Sequence, residues 1–289
     1  MIYCDYGRLG NHLHTHANAL AWCIHNNYNL INLSFSNYAE LFESEPKHSS
    51  GNFQNNKDII FRILSSNSLR HIIRRILLSD KWLRRLSWII NQIRPTYDEF
   101  LDENDLRQKI NQKKINLIKH WDINCSNLIK IHQSKIRKYL KPNKSYVVCA
   151  EQKINELRSR YDCIIGIHAR RGDYASFLDG IHYHEWQSYL NWGNEAINTL
   201  QYSGKKNVGI IVCSDEIPPL SITDTESFYF SSNDDFIVDL HILSLCDYNI
   251  GPPSSFGSWI SWYGKVPRYN LSKNSKICSI DQFKVCLTC

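Results

Sequence analysis

The sequence predicts an α/β protein with two Rossmann-like halves, on three observations. The chain opens on a short apolar strand, a glycine turn and an amphipathic helix pattern. From Tyr146 onward, short apolar runs alternate with helical patterns. Several of those runs end in polar residues suited to chemistry, where ligands bind in open parallel sheets.

Taking the elements in order, residues 2–6 (IYCDY) read as a strand and Gly7–Asn11 (GRLGN) as a tight turn. Residues 12–25 then place Leu13, Ala17, Leu20, Ala21 and Ile24 at helical spacing. A second strand is expected at 29–35, followed by a polar loop at 44–58. Residues 59–93 read as two helices divided near Ser79 and Asp80, residue types that cap helices. Their apolar positions are Leu69, Ile72, Ile73 and Ile76, then Leu83, Leu86, Ile90 and Ile93. Arg70, Arg74, Lys81, Arg84 and Arg85 fall on other faces. The plain reading of these basic residues is a solvated helix face. The sharper reading is a patch, on helices 62–94, that touches the anionic inner face of a membrane or a lipid-diphosphate acceptor.

In the second half, SYVVCA (145–150) is expected as a strand with a helix at 152–161. CIIGIHA (163–169) then reads as a strand, 184–200 as a helix and NVGIIVC (207–213) as a strand. FYF (228–230) reads as an edge strand, 235–246 as a helix, 247–251 as a strand and 256–263 as a final helix. The expected division is an N-terminal domain at 1–145, with a helical insertion, and a C-terminal domain at 146–289.

Composition limits the function classes. With 43% hydrophobic and 21% charged residues, the 289-residue chain has the balance of a soluble globular protein. Its formal charge of +6 suits an anionic ligand, but the basic residues are dispersed and no nucleic-acid motif appears. No run of 18 apolar residues suggests a membrane span. Cys4, Cys163, Cys213 and Cys246 lie in or beside apolar segments, where free thiols behave as small hydrophobes. With no basic and apolar leader pattern at the start, the expectation is a reduced, cytoplasmic protein. Cys278, Cys286 and Cys289 have a C-x7-C-x2-C spacing without a second CxxC or a nearby histidine, which argues against a metal site.

Four polar clusters share the expected carboxyl rim: Gly7–Asn11, His168–Asp173, Ser214–Glu216 and Ser254-Ser255. Each has a plain reading by itself: a tight turn, a surface ion pair of Arg170 and Arg171 with Asp173, or a helix N-cap at Ser254. Together they are complementary. Arginines make bidentate bonds to phosphate, and serine hydroxyls with free N–H groups at a helix start also hold it. The set reads as a diphosphate site. Asp239 sits amid Phe236, Val238, Leu240 and Leu243, so its carboxylate needs a partner. Guanine offers two adjacent donors, N1–H and the 2-amino group; a neighbouring turn would serve as well.

The segments GRLGN (7–11), IHARRGDY (167–174), CSDE (213–216) and DLHILSLCDYNIGPPSSFGSWISWYG (239–264) resemble the motifs of the family 11 alpha-1,2-fucosyltransferases. More broadly they resemble the alpha-1,6- and protein O-fucosyltransferases. The resemblance implies a GT-B-type fold and an inverting, metal-independent transfer of fucose from GDP-fucose to a glycan hydroxyl, without a cofactor. It implies that Arg170 holds the departing phosphate with Arg171 in support, and that His168 and Asp239 meet guanine. By the same resemblance Ser254, Ser255 and Phe256 border the diphosphate site, Asp215 lies beside it, and Gly10 and Asn11 approach from the other domain. Asp179 is the first candidate for general base, with Asp173 orienting the arginines. His12 stands where the family usually has glutamine, and SSFGSWISWYG departs from the family's shorter late motif. Trp259 and Trp262 therefore read as core residues rather than a sugar platform. Two alternatives remain: a glycosyltransferase using another nucleotide sugar, and a nucleotide-binding protein without turnover.

Overall fold

The computed structural model describes residues 7–43, 79–96, 99–223, 227–231 and 235–287. The expected strand at 2–6 and the helical stretch 59–78, with Arg70 and Arg74, lie outside them. The chain divides into two compact units, Met1–Lys141 with Thr288–Cys289, and Pro142–Leu287.

In the first unit, α1 (Leu9–Asn26) buries Leu13, Ala17, Leu20 and Ala21, as their spacing requires. It ends at Asn27, which is in the left-handed region at φ 57°. Residues 29–35 do not form the expected strand. The Asn32 side chain accepts hydrogen bonds from the backbone N–H groups of Ser34 and Phe35 at 3.1 and 3.2 Å, turning the chain into a 3-10 helix at Ser34–Asn37. The second expected helix is also corrected. Only α2 (Asp80–Arg85) is helical, and Ile90–Ile93 is strand β1. Next come β2 (Leu101–Asp102), α3 (Glu103–Lys109), β3 (Ile115–Ile118), β4 (Ile123–Asn124) and α4 (Ser126–Tyr139). β1 pairs in parallel with β3, and β2 with β4. Leu83, Ile90 and Leu117 share a small core with Ile31 and Leu33. The segment 89–93 (IINQI) suits either state, and pairing with the INLI segment of β3 decides for strand.

The second unit begins with α5 (Lys144–Arg158), which replaces the strand expected at SYVVCA. Val147, Ala150, Ile154 and Leu157 form its buried stripe, with spacings of three and four that a strand cannot put on one face. Then follow β5 (Cys163–Ala169), α6 (Trp186–Tyr202), β6 (Val208–Ser214), α7 (Leu220–Thr223), β7 (Phe228–Phe230), α8 (Phe236–Ser244), β8 (Tyr248–Gly251), α9 (Ser255–Gly264) and β9 (Arg268–Asn270). The five strands make one sheet in the order β7-β6-β5-β8-β9, with every pair parallel.

All seven residues of β5 are buried, as a central strand covered on both faces demands. Trp259 and Trp262 of α9 are 0% and 1% exposed, which makes them core residues, as expected. The strand order reverses between β5 and β8. The crevice outside the carboxyl ends of those neighbours is where such a sheet binds its ligand.

Candidate active site

At that crevice lies a cavity of about 250 Å³ lined by His168, Arg170, Ser214, Asp215, Asp235, Phe236, Asp239 and Phe256. The end of β5 supplies His168 and Arg170, and the end of β6 supplies Ser214 and Asp215. The first turn of α8 brings Asp235 and Phe236, and that of α9 brings Phe256.

His168 is buried and its ring lies against Phe256, with centroids 4.9 Å apart. Burial, aided by the nearby charges of Arg268 and Arg170, holds its pKa well below 6.5, so the imidazole is neutral at physiological pH. Its Nδ1 is buried without a hydrogen-bond partner.

Arg170 donates from Nε and Nη2 to the two carboxylate oxygens of Asp173, both at 2.9 Å. Asp215 stands 3.5 Å from Nε on the cavity side, and the guanidinium lies 5.4 Å from the centre of the Tyr174 ring. Neither bond to Asp173 uses Nη1. Asp173 thus fixes Arg170 but not Arg171, the other arginine it was expected to orient. Asp215 accepts from the backbone N–H groups of Arg171 and Gly172 at 2.8 and 3.2 Å, which shapes the turn after β5.

Arg171 does not line the cavity. Its side chain donates to Glu216 at 2.9 Å, to the His184 carbonyl and to the Tyr183 hydroxyl. It also stacks near Tyr183 and Trp186, at 4.6 and 5.0 Å from their ring centres. It is a buried anchor for the loop that carries Arg170. Nor does Asp179 line the cavity. It is exposed on a 3-10 turn where Leu178 and Asp179 have φ of 48° and 54°, and that left-handed turn leaves the carboxylate on the surface of this unit.

Asp239 is enclosed because α8 buries eight of its residues. Desolvation pushes its carboxyl up to about 6, against a hydrogen bond from the Cys213 thiol that favours ionisation. Asp235 is spent on capping α8, accepting from the Ile237 N–H at 3.2 Å. Ser254 caps α9 in the same way, with the Gly257 N–H at 2.9 Å, so its plain reading is realised. Ser255 opens the helix beside Phe256. Gly10 and Asn11 lie in the first turn of α1, in the other unit. Sequence reasoning missed Arg268, a buried residue at the start of β9 whose charge reaches His168. No local motif marks it.

The family model of glycosyl transferase family 11 matches residues 97–265, a span that holds every cavity residue. The chain belongs to glycosyl transferase family 11. Among solved structures, an arginine-to-lysine mutant of Arabidopsis thaliana FUT1 in complex with GDP is similar at a TM-score of 0.57 and 14% identity. That match covers 94% of this chain and 71% of the other. NodZ alpha-1,6-fucosyltransferase soaked with GDP-fucose matches at a TM-score of 0.53 and 16% identity over 95% of both chains. POFUT1 in complex with GDP-fucose matches at 0.52 and 13% identity over 96% of both. No curated protein matches. At such identities the structures establish the α/β, GT-B-type fold, and the family model establishes a glycosyltransferase.

No helix among the described residues is long and apolar enough to cross a membrane. Among the same residues, no three His, Cys, Asp or Glu side chains gather to hold a metal ion. Cys163, Cys213 and Cys246 are buried free thiols; Cys278 is exposed and Cys289 lies outside the described residues.

Proposed function

We propose that this glycosyltransferase transfers fucose from GDP-fucose to a glycan hydroxyl, with inversion and without a metal ion, forming an alpha-1,2 bond to galactose in a surface polysaccharide or glycan. The observation that carries the donor assignment is the convergence of Asp239, neutral His168 and Arg170 on one cavity at the switch point. The structures it resembles were solved with GDP or GDP-fucose, which supports the same donor here.

The roles follow from chemistry. Asp239, once ionised, accepts side by side from N1–H and the 2-amino group of guanine, and His168 offers its ring nitrogen to the remaining polar edge. When the glycosidic bond to the diphosphate breaks, negative charge grows on the leaving phosphate. Arg170, fixed in advance by Asp173, meets that charge without reorganising. The free N–H groups at the start of α9, together with Ser255, support the diphosphate. The acceptor is a sugar hydroxyl; peripheral association with the inner face of a membrane would suit a polysaccharide acceptor.

The test is donor screening by thermal shift with GDP, UDP and CMP, then transfer from GDP-fucose to galactosides with linkage assigned by NMR. Stabilisation by GDP alone, transfer unaffected by a chelator and an alpha-1,2 product are expected. Stabilisation by UDP in place of GDP would refute the guanine assignment, and binding without transfer to any acceptor would favour a nucleotide-binding protein.

A further inference from the structure

Arg268 begins β9, and its side chain is only 4% exposed. Nη2 donates to the Pro252 carbonyl at 2.7 Å and Nε to the Asn270 side-chain oxygen at 3.0 Å. Nη1 is buried with no hydrogen-bond partner, and no carboxylate among the described residues pairs with this guanidinium. Burial lowers its pKa to about 10, which leaves it charged at neutral pH. A buried cation without a counter-charge is costly.

Its position is built into the chain. A Cβ added to Gly257, in the first turn of α9, would lie 2.3 to 2.7 Å from the guanidinium atoms, and one on Gly251 would lie 3.1 Å from Nη2. Glycine at 257 lets the charge lie directly under the start of α9, and glycine at 251 lets that backbone approach the His168 carbonyl, 2.7 Å from an added Cβ. Arg268 holds the Pro252 carbonyl while the Tyr174 hydroxyl holds that of Pro253 at 2.8 Å. The turn leading into α9 is therefore pinned from two sides, and Phe256, just beyond it, forms the cavity wall against His168.

We propose that Arg268 is a positioning residue for the donor's diphosphate: its fixed charge under α9 reinforces that helix's N–H groups, and the bound diphosphate is its counter-ion. This rests on the nucleotide-sugar reading of the same cavity, and it adds a cation that does not itself line the pocket. Through a low-dielectric wall, a charge at that depth is felt by an anion in the cavity.

The experiment is calorimetry on the full chain with GDP, guanosine and pyrophosphate, using wild type, Arg268→Gln and Arg268→Lys, each checked for folding by thermal melting. Arg268→Gln is expected to weaken GDP and pyrophosphate about 10- to 50-fold while guanosine stays within about twofold, with Arg268→Lys recovering much of the loss. Equal weakening of GDP and guanosine would reduce Arg268 to a structural role, and unchanged GDP binding would overturn the proposal outright. Should the glutamine variant not fold, the wild-type Nε resonance, assigned against the lysine variant, carries the test. It must shift with pyrophosphate and stay still with guanosine; no shift refutes the idea. Wild type binding pyrophosphate but not GDP would remove guanine from the reading and leave the Arg268 comparison standing. Wild type binding neither would sink both.

Discussion

The guanidinium of Arg170 and the carboxylate of Asp173 form a two-point hydrogen bond, 2.9 Å at each contact, within a single turn after β5. Two residues separate them, so the pair closes on itself through Nε and Nη2 and does not use Nη1. Asp173→Asn keeps the shape and removes the charge that holds the fork. The expected result is a fall in kcat of about 10-fold with KM within about threefold, measured by initial rates of transfer. A loss carried wholly by KM would count against a positioning role.

Arg170 and Arg171 are adjacent, yet the structure assigns them different work. Arg170→Ala is expected to lower kcat at least about 100-fold, the cost of losing a preorganised charge at the leaving group. Its side chain stands at the cavity rim, 16% exposed, so urea unfolding should move by less than about 1 kcal/mol.

Arg171→Met should behave in the opposite manner. Its donors to Glu216, His184 and Tyr183 vanish together, and the expected cost is about 2–3 kcal/mol of stability in urea unfolding. GDP affinity of the fraction that remains folded should change little, which calorimetry on the melted-and-corrected sample checks.

Asp239 should give nucleotide recognition a pH dependence. Its carboxyl is raised to about 6 by burial, and only the ionised form accepts from both guanine donors. The preference for GDP over IDP, which lacks the 2-amino group, should therefore be large above pH 6 and shrink as pH falls through it. The phosphates titrate alike in both ligands and cancel from the ratio. Asp239→Asn should weaken GDP by about 50-fold, near 2–3 kcal/mol, and flatten the profile. The stability sign is the reverse. Because the folded pKa is raised above 3.8, the folded state binds more protons between about pH 4 and 6. This group's contribution is therefore full below that window and is lost as pH rises through about 6.

Trp259 has no solvent exposure, and Trp259→Ala should cost about 3–5 kcal/mol in urea unfolding. A small cost together with lost transfer would instead mark it as a ligand contact.

The second half of the chain was largely legible in advance because its strands are short, continuous apolar runs ending in polar residues, as in CIIGIHARRGD and NVGIIVCSDE. Burial on both faces allows nothing else in those runs. The residues at their ends, His168, Arg170 and Asp215, consequently fall at one rim whatever the packing details, and Asp239 and Phe256 joined them there. Legibility failed where local pattern and tertiary contact compete. SYVVCA has the composition of a strand, but Val147, Ala150, Ile154 and Leu157 form a helical stripe that buries. Ile90–Ile93 has helical company, but pairs with Ile115–Ile118.

What the sequence determined by itself is the succession of strands and helices between Cys163 and Gly264, the family motifs and the identity of the groups at the carboxyl rim, because those depend on neighbours along the chain. What only the tertiary structure decided is which of those groups face the cavity. Arg171 is drawn aside by Glu216 and Tyr183, Ser254 is spent on its own helix, and Asp179 is left on the surface. Arg268, nearly a hundred residues from Arg170 in the chain, is brought beneath α9 by the pairing of β9 with β8. A charge acts on whatever lies near it in space, and that distance is set by packing rather than by sequence separation.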